Sequence, residues 1–479
     1  MSTPLERYPA LVIFSGWIVS LSLYGTEITP LTAAFLSLLV TLGITLVLTP
    51  STPEGFWAVM ALACFVSFTG AFWLHGRIQG GYETSRYGEV HLEGRVLSVR
   101  TWGRYRVAIL ESSGERYLTY LKGIDTFMEG EKLLVEGYTF PVKDAGKDSF
   151  NEELYWKARG VDGELVPVKI TRVEGRYLWD IHIWRSALRR RIDLRLPEYL
   201  RGYTLASWLG IKDPELKADH GRWGTSHLLA VSGFHVGILA GLLWLIFPRG
   251  RISTIIISLF LWLYVSLAGF SPSAVRAALM LQMILLGELL YKPLNSINSV
   301  SVACMVMLLL NPWIFWDLGW RLSASAAMTI AAFSGMKLCP RWALILSPLI
   351  WVTTSPIVTG AFDSIPLAGL FINLFAIPFF AFLFPLLALL SLMHLFNFPL
   401  VLMIELPVKS LLMTWRTVCD LICRLFPWHL SWHPILVLLS VSVLTVMILK
   451  SGEVSWRRGT LVIMAVNIAV SFLSFSVVV

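Results

Sequence analysis

The stretch His227-Leu228-Leu229-Ala230-Val231-Ser232-Gly233-Phe234-His235-Val236-Gly237 divides the chain into two kinds of sequence. Before it, from about 77 to 226, runs a mostly polar block, and after it almost everything is apolar. Two imidazoles, a serine and two glycines stand where a long apolar helix should begin. Polar groups at such a place either meet interfacial water at a helix mouth or line a polar path through a bilayer.

Working outward, the downstream half reads as a series of spans at 228–248, 252–270, 273–291, 296–310, 318–336 and 342–361. Residues 365–404 are apolar but interrupted by Pro366, Pro378, Pro385 and Pro399, which reads as two crossings, one of them discontinuous. Residues 407–426 are amphipathic, and clear spans return at 434–449 and 459–478. Upstream, three apolar runs at 9–27, 30–49 and 56–75 each have the length of a membrane crossing. The first lacks a clear small-residue cleavage site and is read as a retained helix.

Composition agrees. Of 479 residues 56% are hydrophobic and only 15% charged, against about 25% in an average soluble protein. The mean hydropathy is +0.68, and 20 Trp with 27 Phe suit aromatic belts at two interfaces. The expected fold class is a polytopic α-helical membrane protein with about 11–13 transmembrane helices and an inserted extracytoplasmic OB-like β-barrel domain.

That inserted domain is legible as alternating segments at 89–100, 103–111, 115–122 and 131–140, a helix at 150–160 and a last strand at 163–173. Gly103, Gly114, Gly123 and Gly130 mark its turns. An OB-like barrel fits this pattern, with an SH3-like barrel as the alternative. Residues 88–176 hold 14 Lys/Arg and 15 Asp/Glu, so the domain as a whole is not a basic patch. Trp102, Tyr105, Tyr117 and Tyr120 are candidates for stacking on bases, or for ordinary packing. Residues 178–200 form an amphipathic basic helix in which Arg185, Arg189, Arg190 and Arg191 flank an apolar stripe, with Pro197 at its end. It suits the membrane surface, or contact with nucleic acid. The segment 202–211 is too short to span and suits a dip into the interface. The domain plan is therefore 1–76 for three N-terminal helices, 77–176 for the barrel, 177–226 for interfacial helices, 227–400 for a helical channel and 401–479 for a C-terminal amphipathic segment and spans.

Orientation follows from positive charge. Loops 248–251, 337–341 and 450–458 are basic and should be cytoplasmic, whereas 311–317 has no Lys or Arg and should face out. Counting back places residue 227 and the barrel outside. Parity then requires an even number of crossings between about 362 and 430. The net charge of +8 suits anionic lipid or nucleic acid, and positive-inside loops alone can also produce it.

Charged or polar groups inside spans are the functional candidates. The candidates lining a path are His227, Ser232, His235, Ser271, Ser273, Arg276, Arg321, Ser323, Asp363 and Asn373. Asp317 and Arg321 have the spacing of an i,i+4 ion pair. The small-residue runs 271–278 and 323–327 either leave room for a substrate or let helices approach closely. Ser232 beside histidines suggests an intramembrane hydrolase, but position 230 is Ala, so GxSxG is lacking. No Cys/His cluster points to zinc, none of the five Cys lies between 65 and 303, and no P-loop is present. No metal, cofactor or catalytic residue is expected.

The motifs His227 to His235 and Ala268-Gly269-Phe270-Ser271-Pro272-Ser273-Ala274-Val275-Arg276-Ala277-Ala278-Leu279-Met280 resemble the ComEC/Rec2 competence proteins. So do Asn311-Pro312, Leu318-Gly319-Trp320-Arg321-Leu322-Ser323, Pro366 to Pro378 with Asn373, and the soluble segments 131–164. The resemblance covers roughly 56–390. It implies an inner-membrane channel for transforming DNA that passes a single strand into the cytoplasm. Implied partners are single-stranded DNA, membrane lipid, a separate DNA receptor, an ATP-driven helicase or translocase and a separate nuclease. Arg321 stands where the family commonly has Gln, the family's external cystine is missing, and the HxHxDH cluster of an appended metallo-β-lactamase-like domain is not in this sequence. The alternatives from other classes are the Ser232 hydrolase and a transporter of a small anionic or lipid-linked substrate.

Overall fold

The computed structural model describes residues 8–23, 28–48, 56–80, 87–102, 105–121, 127–142, 151–173, 180–247, 250–291, 295–336, 343–399 and 401–452, with 460, 463, 464, 466 and 467. The chain forms two compact units, one of Met1–Gln79, Arg276–Phe375 and Ile422–Val479, the other of Gly80–Val275 and Ala376–Leu421.

The second unit begins with a barrel. Strands β1 (Gly88–Trp102), β2 (Tyr105–Ser112), β3 (Glu115–Leu121), β4 (Lys132–Phe140) and β5 (Gly163–Val173) close in the order β1-β2-β3-β5-β4. Strands β3 and β5 pair in parallel, through Tyr117–Gly163 and Leu118–Glu164. Alternation builds the interior: Val96, Ala108, Leu110, Leu133, Val135 and Leu165 face one core. Val107, Leu118 and Trp156 face another, closed by helix α4 (Glu152–Lys157). Asn151 starts α4 by accepting from the Leu154 N–H at 2.8 Å. The five expected strands lie within two residues of their expected bounds, and the helix within three.

After the barrel come α5 (Ile181–Arg195) and α6 (Glu198–Thr204), the latter continuing as a π-helical turn at Leu205–Leu209. Pro197 separates them, because its ring cannot continue the helix. Next are α7 (Pro214–Arg222), a 3-10 turn at Ser226–Leu229, α8 (Gly233–Ile246) and α9 (Arg251–Leu267).

The first unit holds α1 (Pro9–Ser22), α2 (Pro30–Leu48) and α3 (Phe56–Gly80). Small polar groups join them: Ser67 Oγ lies 2.6 Å from Ser37 Oγ and accepts from Thr41 at 2.7 Å. It also holds most of α10 (Pro272–Leu289), with α11 (Ser296–Leu310), α12 (Leu318–Gly335) and α13 (Ala343–Phe362). The break expected at Pro366 is real. Strand β6 (Ser364–Pro366) pairs with β7 (His429–Ser431), which satisfies the backbone freed by the interruption.

Helix α14 (Ala368–Leu395) corrects one expectation. Its 28 residues run unbroken through Pro378 and Pro385, so 365–404 does not hold two crossings. The second helix is the amphipathic α15 (Val401–Leu425). Its polar stripe is paired with α7: Asp420 accepts from Arg222 and from Trp223 Nε1, both at 2.9 Å, and Arg416 reaches Asp219 at 3.1 Å. Helix α16 (Pro434–Ser451) follows. Among the described residues, five helices are long and apolar enough to cross a membrane, at 57–80, 272–289, 344–362, 368–395 and 434–451, and five shorter apolar helices accompany them. The span expected at 459–478 and the basic loops at 248–249, 337–341 and 453–458 lie outside the described residues, apart from isolated positions.

Candidate functional site

In the second unit the dividing stretch is not one helix. It is a 3-10 turn, an extended step over Ala230–Ser232, then α8. His227 is exposed on the turn. Ser232 is the N-cap of α8, and its backbone N–H donates to His235 Nδ1 at 3.3 Å. Ser232 Oγ lies 3.2 Å from the same nitrogen. His235 thus supplies the reciprocal half of a capping box, a role usually filled by Glu or Gln. It is buried with its ring 4.4 Å from that of Phe384.

The carbonyl of Val231, which the extended step leaves without a helical partner, accepts from Ser271 Oγ at 3.3 Å and from Ser273 Oγ at 2.5 Å. Two candidate path residues therefore hold the broken backbone in place. Behind them, His220 is fully buried. Its Nδ1 is 2.9 Å from Thr225 Oγ1, and its Nε2 is 3.1 Å from Tyr203 Oη. Burial pushes the imidazole down to about 4, outweighing the opposing hydrogen bond to the Thr225 carbonyl. His220 is therefore a neutral core residue near neutral pH.

Arg185 needs correction. A role in membrane-surface or nucleic-acid contact requires an exposed guanidinium, and this one is 6% exposed. Its Nε donates to Glu129 at 3.0 Å, Nη2 to the Leu209 carbonyl at 3.2 Å and Nη1 to the Leu267 carbonyl. One fork satisfies a carboxylate and the ends of two helical segments at once. Arg190 and Arg191 are exposed, whereas Arg189 is half-buried with its Nε 3.8 Å from Asp193.

In the first unit Arg276 is buried on α10. Its Nε donates to Ser323 Oγ at 2.8 Å and its Nη1 reaches Met280 Sδ at 3.5 Å. Neither partner is anionic. Arg321, on α12, donates Nε to the Phe315 carbonyl at 2.7 Å and stands 5.1 Å over the Phe315 ring. Asp317 also caps α12, accepting from the Trp320 N–H at 2.9 Å. The two residues read from sequence as an i,i+4 pair thus each make a local bond as well, because a helix start leaves orphan donors beside the carboxylate.

The small-residue run on α12 is divided in role. Ser323 meets Arg276, but Ser325 donates to the Thr353 carbonyl at 3.1 Å, and Thr329 meets Thr353 at 2.9 Å. That part is helix packing. Asp363 is exposed at the α13 end with φ +61°, and its carbonyl accepts from the Trp432 N–H at 3.2 Å. Asn373 is half-buried on α14. Glu129, Asp219 and Asp420 were not singled out from sequence, since nothing local marks a carboxylate whose partner is dozens of residues away.

Comparison with known proteins adds a family signal. The family model described as Competence protein matches residues 211–453, just over half of the chain. The chain is 32% identical over 178 residues to ComE operon protein 3 of Bacillus subtilis, covering 36% of this chain and 23% of that protein. It is 30% identical over 161 residues to the uncharacterized protein MG316 homolog of Mycoplasma pneumoniae, covering 33% of this chain and 42% of that protein. The aligned part thus spans about a quarter of the first relative and less than half of the second. No solved structure matches.

Proposed function

The chain belongs to the competence protein family, and from that premise we propose that it is a multi-pass inner-membrane channel for uptake of transforming DNA, passing a single strand into the cytoplasm. The barrel is read as an OB-like, extracytoplasmic domain that receives the strand. The observation that carries the channel reading is Arg276, a buried guanidinium whose partners, Ser323 and Met280, bring no negative charge. Burying an uncompensated cation costs several kcal/mol on an order-of-magnitude basis. A passing phosphodiester would supply the missing anion. Arg321 offers a second guanidinium held mainly by a backbone carbonyl. Strand separation, ATP-driven pulling and any strand degradation are assigned to separate proteins.

The test is import of labelled DNA in a deletion strain complemented with this chain. Arg276→Ala and Arg321→Ala should each lower import at unchanged protein level, whereas Arg276→Lys should retain part of it. Normal import in both alanine variants would sink the path-lining assignment.

The Ser232–His235 contact supports a second reading as a Ser hydrolase. The same Nδ1 already accepts the Ser232 backbone N–H, so it serves as a cap as well as a neighbour of the hydroxyl. Under the hydrolase reading Ser232→Ala abolishes activity. Under the capping reading it costs about 0.5–2 kcal/mol of stability and leaves import in place.

A further inference from the structure

Two helix starts meet at the dividing stretch. Helix α8 begins at Gly233 with Ser232 as its N-cap. Helix α10 begins at Pro272, and the hydroxyls on either side of that proline, Ser271 and Ser273, donate to the Val231 carbonyl at 3.3 and 2.5 Å. The start of α10 is thus bonded to the residue just before the α8 cap. Each helix start carries backbone N–H groups without helical partners and the positive end of a helix dipole. Neither 226–237 nor 268–275 contains Asp, Glu, Lys or Arg. Ser232, Gly233, Phe234, Ser271 and Ser273 are half-buried, so the junction is not sealed.

A second observation points to what this junction receives. His235 is only 7% exposed. Its Nδ1 accepts the Ser232 backbone N–H at 3.3 Å, and an imidazolium has no lone pair with which to accept. The ring is therefore neutral, and its one proton sits on Nε2. Among the described residues that buried N–H has no hydrogen-bond partner, an arrangement that costs free energy until an acceptor arrives. The two nitrogens lie on opposite edges of the ring. With Nδ1 turned back onto the cap, Nε2 points away from it.

We propose that His235 Nε2 and the paired starts of α8 and α10 form a binding site for one phosphodiester group of a passing strand. This rests on the channel reading for the identity of the strand. An anionic oxygen suits the site better than a neutral acceptor, because two helix starts adjoin the donor. No carboxylate on either segment competes for the donors or repels the ligand. The site differs in kind from the buried cation at Arg276, since every donor in it is neutral. A neutral donor set holds a phosphate loosely, and a conducting path must release what it binds.

The experiment is binding of a fluorescent single-stranded oligodeoxynucleotide to the full-length chain in detergent, read by anisotropy at raised salt, where contacts to exposed arginines and lysines weaken. His235→Asn keeps an acceptor near the place of Nδ1, for the Ser232 N–H, and has no atom at the place of Nε2. His235→Gln puts an amide donor near that place, and Gln three residues after a cap also serves a capping box. Binding should weaken about tenfold in His235→Asn, the scale of one hydrogen bond to a charged group, and stay close to wild type in His235→Gln. Thermal unfolding of each variant sets a temperature at which all are folded. A strand of abasic deoxyribose phosphates, which keeps the phosphodiesters and lacks the bases, should show the same loss. Wild-type affinity in His235→Asn overturns the site. Equal loss in both variants overturns Nε2 as the donor, and a loss confined to the strand with bases overturns the phosphodiester as its ligand. A wild-type chain that binds no strand at all fails the channel reading instead, and the proposal falls with it.

Discussion

His220 shows how a residue that looks functional in sequence becomes structural in three dimensions. It stands seven residues before His227, yet both its nitrogens are held, by Thr225 and Tyr203, and its ring is sealed by Trp223 and Phe380. Burial holds its folded pKa near 4, below the unfolded value of about 6.5. The native state then binds fewer protons than the unfolded state. Stability from this group is complete above about pH 6.5 and is lost as pH falls toward 4, by roughly 3 kcal/mol at most. Thermal unfolding of the detergent-solubilised protein should show that slope, and His220→Gln should flatten it. An unchanged slope in the variant would remove His220 as its source. His235 could not be assigned from sequence for a related reason. A histidine three residues after a serine is not a usual capping pattern, and only the 3.3 Å bond from the Ser232 N–H discloses it.

At the scale of elements, two turns converge on Arg185. Gly210 has φ +68° and Gly269 has φ +73°, conformations that a side chain strains. A Cβ on Gly210 would also stand 2.9 Å from the Ala268 carbonyl oxygen. Gly210→Ala should therefore destabilise by about 1–3 kcal/mol, read as earlier thermal unfolding with lowered protease resistance around 205–215. Wild-type resistance would show that the turn tolerates another backbone. The helices themselves were largely legible, because apolar runs and prolines act locally. Helix α14 was not, since Pro378 and Pro385 read as interruptions in sequence, yet the helix passes through both. Proline removes one ladder bond and adds a kink, which neighbouring packing can absorb.

At the scale of the molecule, the 28-residue α14 is long and apolar enough to cross a membrane once, and the amphipathic α15 follows it. Alkaline phosphatase fused after Asn397 should be inactive, and after Trp428 active, with a fusion in the Ser113 turn of the barrel also active. Activity at Asn397 would show that α14 does not cross.

The sequence by itself determined that the chain is mostly helical with a small barrel, and it placed the barrel's strands and most of the described helices. Those depend on hydrophobic periodicity, turn glycines and length, which are written in neighbouring residues. It also carried the family signal, in motifs around His227 and Arg276. Only the tertiary structure decided which polar groups are held and which are left over. It buried Arg185 against Glu129, made His235 a cap, set Ser271 and Ser273 on the Val231 carbonyl, and surrounded Arg276 with neutral partners. The reason is physical. A polar group's role in a low-dielectric interior is fixed by the partner within about 3 Å, and such a partner can lie 198 positions away in the chain, as Asp420 does from Arg222.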